Sequence, residues 1–222
     1  MKYYRLIEST NLKEIGIYPQ VIDHKKDYDE DKLDSYMLTN KFPSELPCIN
    51  FDFDGLLLNN RSKYTDLVSS SFLNSLIGLI ISSQFLKIVE NFKTVDYKLF
   101  NACLYFKKMR VQYYWMHYTS ELTEYIDFEN SVFRLKTSEG RKEVLLKSID
   151  DYFELRNSIK SWSIVKPTKL SLFKQMDYSY DLFRIGLIDS NTYVSERLKD
   201  EFAKNNITGV EFEDTDGYMF FT

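Results

Sequence analysis

The sequence predicts an α+β domain built on mostly antiparallel sheet, with two similar strand–helix units packed on it. Three stretches carry that reading. In the last fifth of the chain a β-prone run at 192–194 meets Ser195, whose hydroxyl can accept a backbone N–H at the start of a helix. Leu198 and Phe202 then share one helical face, Asn205 and Asn206 tolerate the left-handed conformation that ends a helix, and 210–212 returns to β-prone residues. A weaker copy lies about half the chain upstream, where apolar 79–81 precedes Ser82 and Phe85 and Val89 take the places of Leu198 and Phe202. The third stretch is a pair of β-rich runs, 98–106 and 111–118, joined by the basic turn Lys107, Lys108, Met109 and Arg110, which reads as a hairpin.

A chain of 222 residues with 44% hydrophobic content can bury roughly 70% of its unfolded surface. That suits one domain over 1–222, or two closely joined halves of about 1–135 and 136–222. The net charge of −4 argues against a nucleic-acid binder, which normally shows a basic face. Seventeen tyrosines suit an interface, where Tyr is favoured. Cys48 and Cys103 are too few for a disulfide framework or a zinc site and read as buried thiols in a reducing compartment. The opening MKYYRLIEST lacks an apolar signal core, and the longest apolar run, 76–81, falls far short of the roughly 20 residues that span a bilayer. A soluble, cytoplasmic protein with no membrane partner is expected.

In chain order, 3–7 reads as a strand and 16–22 as an extended piece containing Pro19. Asp27, Asp29, Glu30, Asp31 and Asp34 then crowd into a charged stretch, either a solvated loop or an acidic patch facing a basic partner. Pro43 and Pro47 bracket a connection before CINFDFDGLLLNN at 48–60, read as an apolar strand ending in Asp-x-Asp-Gly. Val68, Phe72 and Leu76 recur at helical spacing over 64–76, with Gly78 closing that element. Within the hairpin, Val111, Tyr113, Trp115 and His117 share one face and Gln112, Tyr114, Met116 and Tyr118 the other, so it should lie centrally or be covered on one side. Residues 132–135 form a strand, Gly140 turns the chain into 143–146, and Ser148 with Asp151 forms a capping box opening a helix over 149–159. Pro167 introduces an extended piece at 169–173, and Asp216-Gly217 supplies a hairpin turn before a strand at 218–221.

Two resemblances bear on function. Asp52-Phe53-Asp54-Gly55 resembles the opening motif of the haloacid-dehalogenase-like phosphohydrolases. There Asp52 would be the nucleophile and Asp54 the general acid, both holding magnesium at a strand end. Leu56 stands where that family usually has Thr or Val, and the adjacent acids Asp150 and Asp151 are better explained as the start of a helix.

The second resemblance covers more of the chain. An opening YYRL is followed by LIISSQFLKIVENF, YWMHY leading to IDFENSVF, and DLFRI followed by YVSERLKDEFAKNNITGVEF. This order resembles the immunity proteins of bacterial polymorphic toxin systems, a group first catalogued as a domain of unknown function, best over 76–135 and 181–213. It implies a non-enzymatic protein that binds and neutralises a toxin, with no residue role to carry over. Ser82, Ser195, Gly209 and Phe212 are explained as caps, turns and core.

The residues themselves agree with a stoichiometric binder. His117 has no Ser or Cys in a nucleophile's context nearby and reads as structural. No cofactor or metal is expected, and the partner is a cognate toxin met by a monomer or weak dimer. If that toxin acts on nucleic acid, its basic site would take carboxylates in place of phosphates. The contact residues would then be Asp27, Asp29, Glu30, Asp31 and Asp34, with the tail acids Glu211, Glu213, Asp214 and Asp216.

Overall fold

Runs of alternating or continuous apolar residues set the strands, and a computed structural model describes how they pair over residues 1–24, 53–70, 78–107, 109–120, 122–160, 162–176, 179–186 and 188–222. In chain order the strands are β1 (Tyr3–Glu8), β2 (Val21–His24), β3 (Phe53–Leu58), β4 (Gly78–Ile81), β5 (Tyr97–Phe106), β6 (Met109–Tyr118) and β7 (Val132–Thr137). They continue as β8 (Gly140–Val144), β9 (Ile164–Leu172), β10 (Leu182–Arg184), β11 (Thr192–Ser195), β12 (Val210–Asp214) and β13 (Met219–Phe221). Among the described residues the α-helices are α1 (Leu12–Ile15), α2 (Ser83–Val89), α3 (Ile149–Ser158) and α4 (Glu196–Lys204).

The described strands form three sheets, ordered β10-β11-β1-β12, β13-β9-β7-β8 and β2-β3-β5-β6-β4. Among these described strands every pair is antiparallel except β13 with β9 and β3 with β5, so the chain is α+β with mostly antiparallel sheet. The β5–β6 hairpin is central in its sheet, and its two faces enter different cores. Tyr113 and Trp115 pack with Leu56, Phe100 and Leu104 on one side, while Met116 and Tyr118 join the main core on the other. This is why both faces of the hairpin are aromatic.

Both serine-capped helices form where their sequences predict. Ser82 Oγ accepts from Phe85 N at 3.1 Å and Ser195 Oγ from Leu198 N at 3.3 Å. Their apolar faces meet through Phe85 and Phe202, with ring centroids 4.6 Å apart. Each cap hydroxyl also donates to an aspartate, Ser82 to Asp66 and Ser195 to Asp181, both at 2.6 Å. Each aspartate in turn receives a backbone N–H from the segment leaving the other helix, Asp66 from Thr208 at 2.9 Å and Asp181 from Lys93 at 3.0 Å. The two helices are thereby latched to one another at both ends.

Several sequence expectations need correction. Residues 64–70 are not helical: they run extended, with Tyr64 exposed, Asp66 half-buried and the rest buried, and with bridges from Leu67 to Ile81 and from Ser70 to Val21. The helical spacing misled because buried Gln20 serves this segment instead, donating to Lys63 O at 2.7 Å and accepting from Ser69 N at 3.2 Å. Phe72 and Leu76 lie outside the described residues, and Gly78 opens β4 rather than closing a helix. A short helix, α1, occupies part of the N-terminal region that gave no helical signal, capped by the Asn11 side chain. Strand β9 starts before Pro167, which is accommodated beside a register shift, where a missing N–H is tolerated. Finally, the Asp216-Gly217 turn does not close a hairpin. Strand β12 pairs with β1 while β13 joins β9 in another sheet, so this turn hands the chain between sheets.

Candidate functional site

The tail acids sit on or just beyond β12, an edge strand, and the fold supplies each with partners. Glu211 accepts from Thr10 N at 2.8 Å and Ser9 Oγ at 2.9 Å, and these bonds hold its carboxyl below the usual range. Glu213 faces Arg5 in register and pairs with it at 2.8 Å. Asp214 and Asp216 share the Lys2 ammonium at 2.6 and 3.3 Å. Such surface pairs contribute little stability, yet they do offset the tail's negative charge in the free chain. Asp27, Asp29, Glu30, Asp31 and Asp34 lie outside the described residues, so the structure does not bring the two acidic groups together or separate them.

The Asp-x-Asp-Gly motif is placed differently from its sequence expectation. Asp52 lies outside the described residues, and β3 begins at Phe53 and runs on through Leu58. Asp54 and Gly55 therefore fall inside a strand, at a register irregularity against β5, rather than beyond a strand's end. Among the described residues no three His, Cys, Asp or Glu side chains converge as a metal site requires. His117 is buried, packed edge-on against Trp115 at 4.6 Å between centroids. Cys103 is buried in the same sheet, and Cys48 is outside the described residues.

A cleft of about 380 Å³ opens where β1, α3, the start of β9 and the loop before β11 meet. At its base Asp189, 4% exposed, accepts from Tyr218 Oη at 2.6 Å, from Asn191 N at 3.0 Å and Nδ2 at 2.5 Å, and from the Tyr193 hydroxyl. Burial, with the Asp189 charge adding to it, pushes both phenols far above the ordinary tyrosine range, so they remain protonated donors. Arg5 lies over the Tyr218 ring at 5.1 Å, and Arg156 Nη1 donates to Ser163 O at 3.2 Å. Arg5, Arg156 and Lys166 thus give the cleft a positive wall above a saturated carboxylate. The sequence reading passed over these three residues because they come from β1, α3 and β9, which only the folded sheets bring together.

Comparison with known families places the chain at this point. The model of the immunity protein family Imm11 matches residues 65–217. The chain belongs to that family. The Imm11 match takes in both serine-capped helices, the central hairpin and most of the cleft, and it leaves out β1, which supplies Arg5. No curated protein matches the chain. No helix among the described residues of this Imm11 chain is long and apolar enough to cross a membrane.

Proposed function

We propose that this chain protects a cell by binding a cognate toxin in the cytoplasm and blocking it stoichiometrically, without making or breaking bonds itself. Membership of Imm11 over 65–217 is the observation that carries this reading. In this reading β4–α2 and β11–α4 are equivalent scaffold units of one domain, holding the surrounding sheets rigid for docking. Rigidity favours tight association because little conformational entropy remains to be lost on binding.

The test is co-expression with the toxin encoded beside the chain. Cells carrying both should grow, cells carrying the toxin alone should not, and the two purified proteins should elute as one complex. Failure of growth rescue, or rescue by a quantity of protein far below that of the toxin, would overturn the stoichiometric reading.

A further inference from the structure

The sheet containing β7, β8 and β9 buries one face and turns a positively charged face outward. Phe133, Leu135 and Val165 point into the main core, so Arg134, Lys136 and Lys166, one position along, point to solvent. Register sets Arg134 between Glu143 of β8 and Lys166 of β9, and Lys136 between Arg141 and Ile164. Arg134, Lys136, Arg141 and Lys166 line a groove of about 360 Å³. Among the described residues none of the four makes an ion pair.

Two of these register pairs, Arg134 with Lys166 and Lys136 with Arg141, set like charges opposite one another, which destabilises a sheet standing alone. The contrast with the β1–β12 pair is direct, since there Arg5 opposes Glu213 and bonds it. In a chain of net charge −4, the tail acids are matched by neighbouring donors, while this cluster keeps an excess of positive charge, with Glu143 opposite Arg134 but not ion-paired to it.

We propose that this face is where the toxin docks, through an acidic surface of that protein; the inference rests on the toxin-neutralising reading and names its surface and chemistry. Carboxylates entering the groove relieve the repulsion within both pairs and gain charge-assisted hydrogen bonds. Ile164, 43% exposed on the same face, and Trp162, 50% exposed two residues before it, supply apolar anchors beside the cations. The patch is bounded by exposed Glu139 and Glu143, so an extended polyanion crossing it meets carboxylates, whereas a protein places its acids locally. Lys166 and Pro167 also line the cleft above Asp189, which carries the positive surface on towards Arg156.

Two double variants on different strand pairs test it, Arg134→Ser with Lys166→Ser and Lys136→Ser with Arg141→Ser, so that a folding fault in one leaves the other informative. The first probe is a labelled short peptide of Asp and Glu, compared with a thymidylate oligonucleotide of equal length at about 50 mM salt. The wild-type chain should bind the peptide in preference to the oligonucleotide, and each variant should bind it at least about tenfold more weakly. With repulsion removed, the free variants should melt about 1–3 °C higher than wild type. Unchanged peptide binding in both variants, or absence of binding to wild type, overturns the proposal, and tighter oligonucleotide binding reassigns the face to nucleic acid.

The second arm is growth in the presence of the toxin. Protection by wild type and loss of protection by the variants supports the docking face, while equal protection by all three overturns it. If wild type binds the peptide yet gives no protection, the toxin-neutralising reading fails and the acidic-partner assignment stands.

Discussion

At the scale of single residues, the most consequential group is Asp181, fully buried beneath α4. Burial alone would raise its carboxyl pKa, but two hydrogen bonds at 2.5 Å from Arg197 and one at 2.6 Å from Ser195 outweigh it and hold the pKa below the usual range. The stability this brings is present above about pH 3.9 and is lost as pH falls through the depressed folded value. Replacing Asp181 by Asn should cost on the order of 2–4 kcal/mol at neutral pH, because one of its two acceptor oxygens becomes an NH2 group facing donors and the Arg197 cation loses its counter-charge. Ser195→Ala, which removes a cap, should cost about 1–2 kcal/mol, and in urea titration the double variant should fall short of the sum, since both act on one network. Additive losses would show that Asp181 and the cap act independently.

Glu8 has the opposite sign. Burial at the end of β1 raises its carboxyl to about 7, with only a hydroxyl bond from Tyr18 at 3.5 Å opposing the shift. Between about pH 4.3 and 7 the folded chain therefore keeps a proton that the unfolded chain has released, so stability declines as pH rises through that window. Glu8→Gln should abolish this decline, matching wild type near pH 4 and exceeding it above pH 7 by on the order of 1–3 kcal/mol. Chemical denaturation at the two pH values measures it, and parallel curves for the two proteins would refute it.

At the scale of elements, two glycines separate local conformation from tertiary contact. Gly209 and Gly217 have nearly the same positive φ, 78° and 80°. A Cβ at Gly217 would meet nothing within 4 Å, whereas one at Gly209 would lie 2.1 Å from the carbonyl oxygen of Leu67. Gly217→Ala should therefore cost about 1–2 kcal/mol, the strain of the left-handed region alone, and Gly209→Ala clearly more. Comparable melting points for the two variants would contradict this. Elements with a complete local signal were legible: Ser195, Leu198, Phe202 and Asn206 place a cap, a buried face and a left-handed end within one short stretch. The 64–70 segment was not, since its path depends on Gln20, far away along the chain, which bonds Lys63 O and Ser69 N.

At the scale of the whole molecule, β1 opens the chain yet pairs with β11 and β12, and the main core draws on residues from Tyr3 to Met219. One cooperative unfolding transition is the expected outcome of calorimetry, and two resolved transitions would instead favour separable halves. The charge map also belongs to this scale. The tail acids, named from the sequence as contact residues, are held in the free chain by Lys2, Arg5, Ser9 and Thr10, which only the fold brings beside them. The alternation of Arg134 and Lys136 was visible in the strand, but their opposition to Arg141 and Lys166 depends on pairing.

The amino-acid order by itself determined what short-range physics can encode: the caps, the two-sided hairpin, the α+β class and the likeness to immunity proteins. The tertiary structure alone decided which strands become neighbours, and with that which charges cancel and which stand exposed. Electrostatic and packing energies act through space, and residues far apart in the chain become opposite partners only when the sheets close.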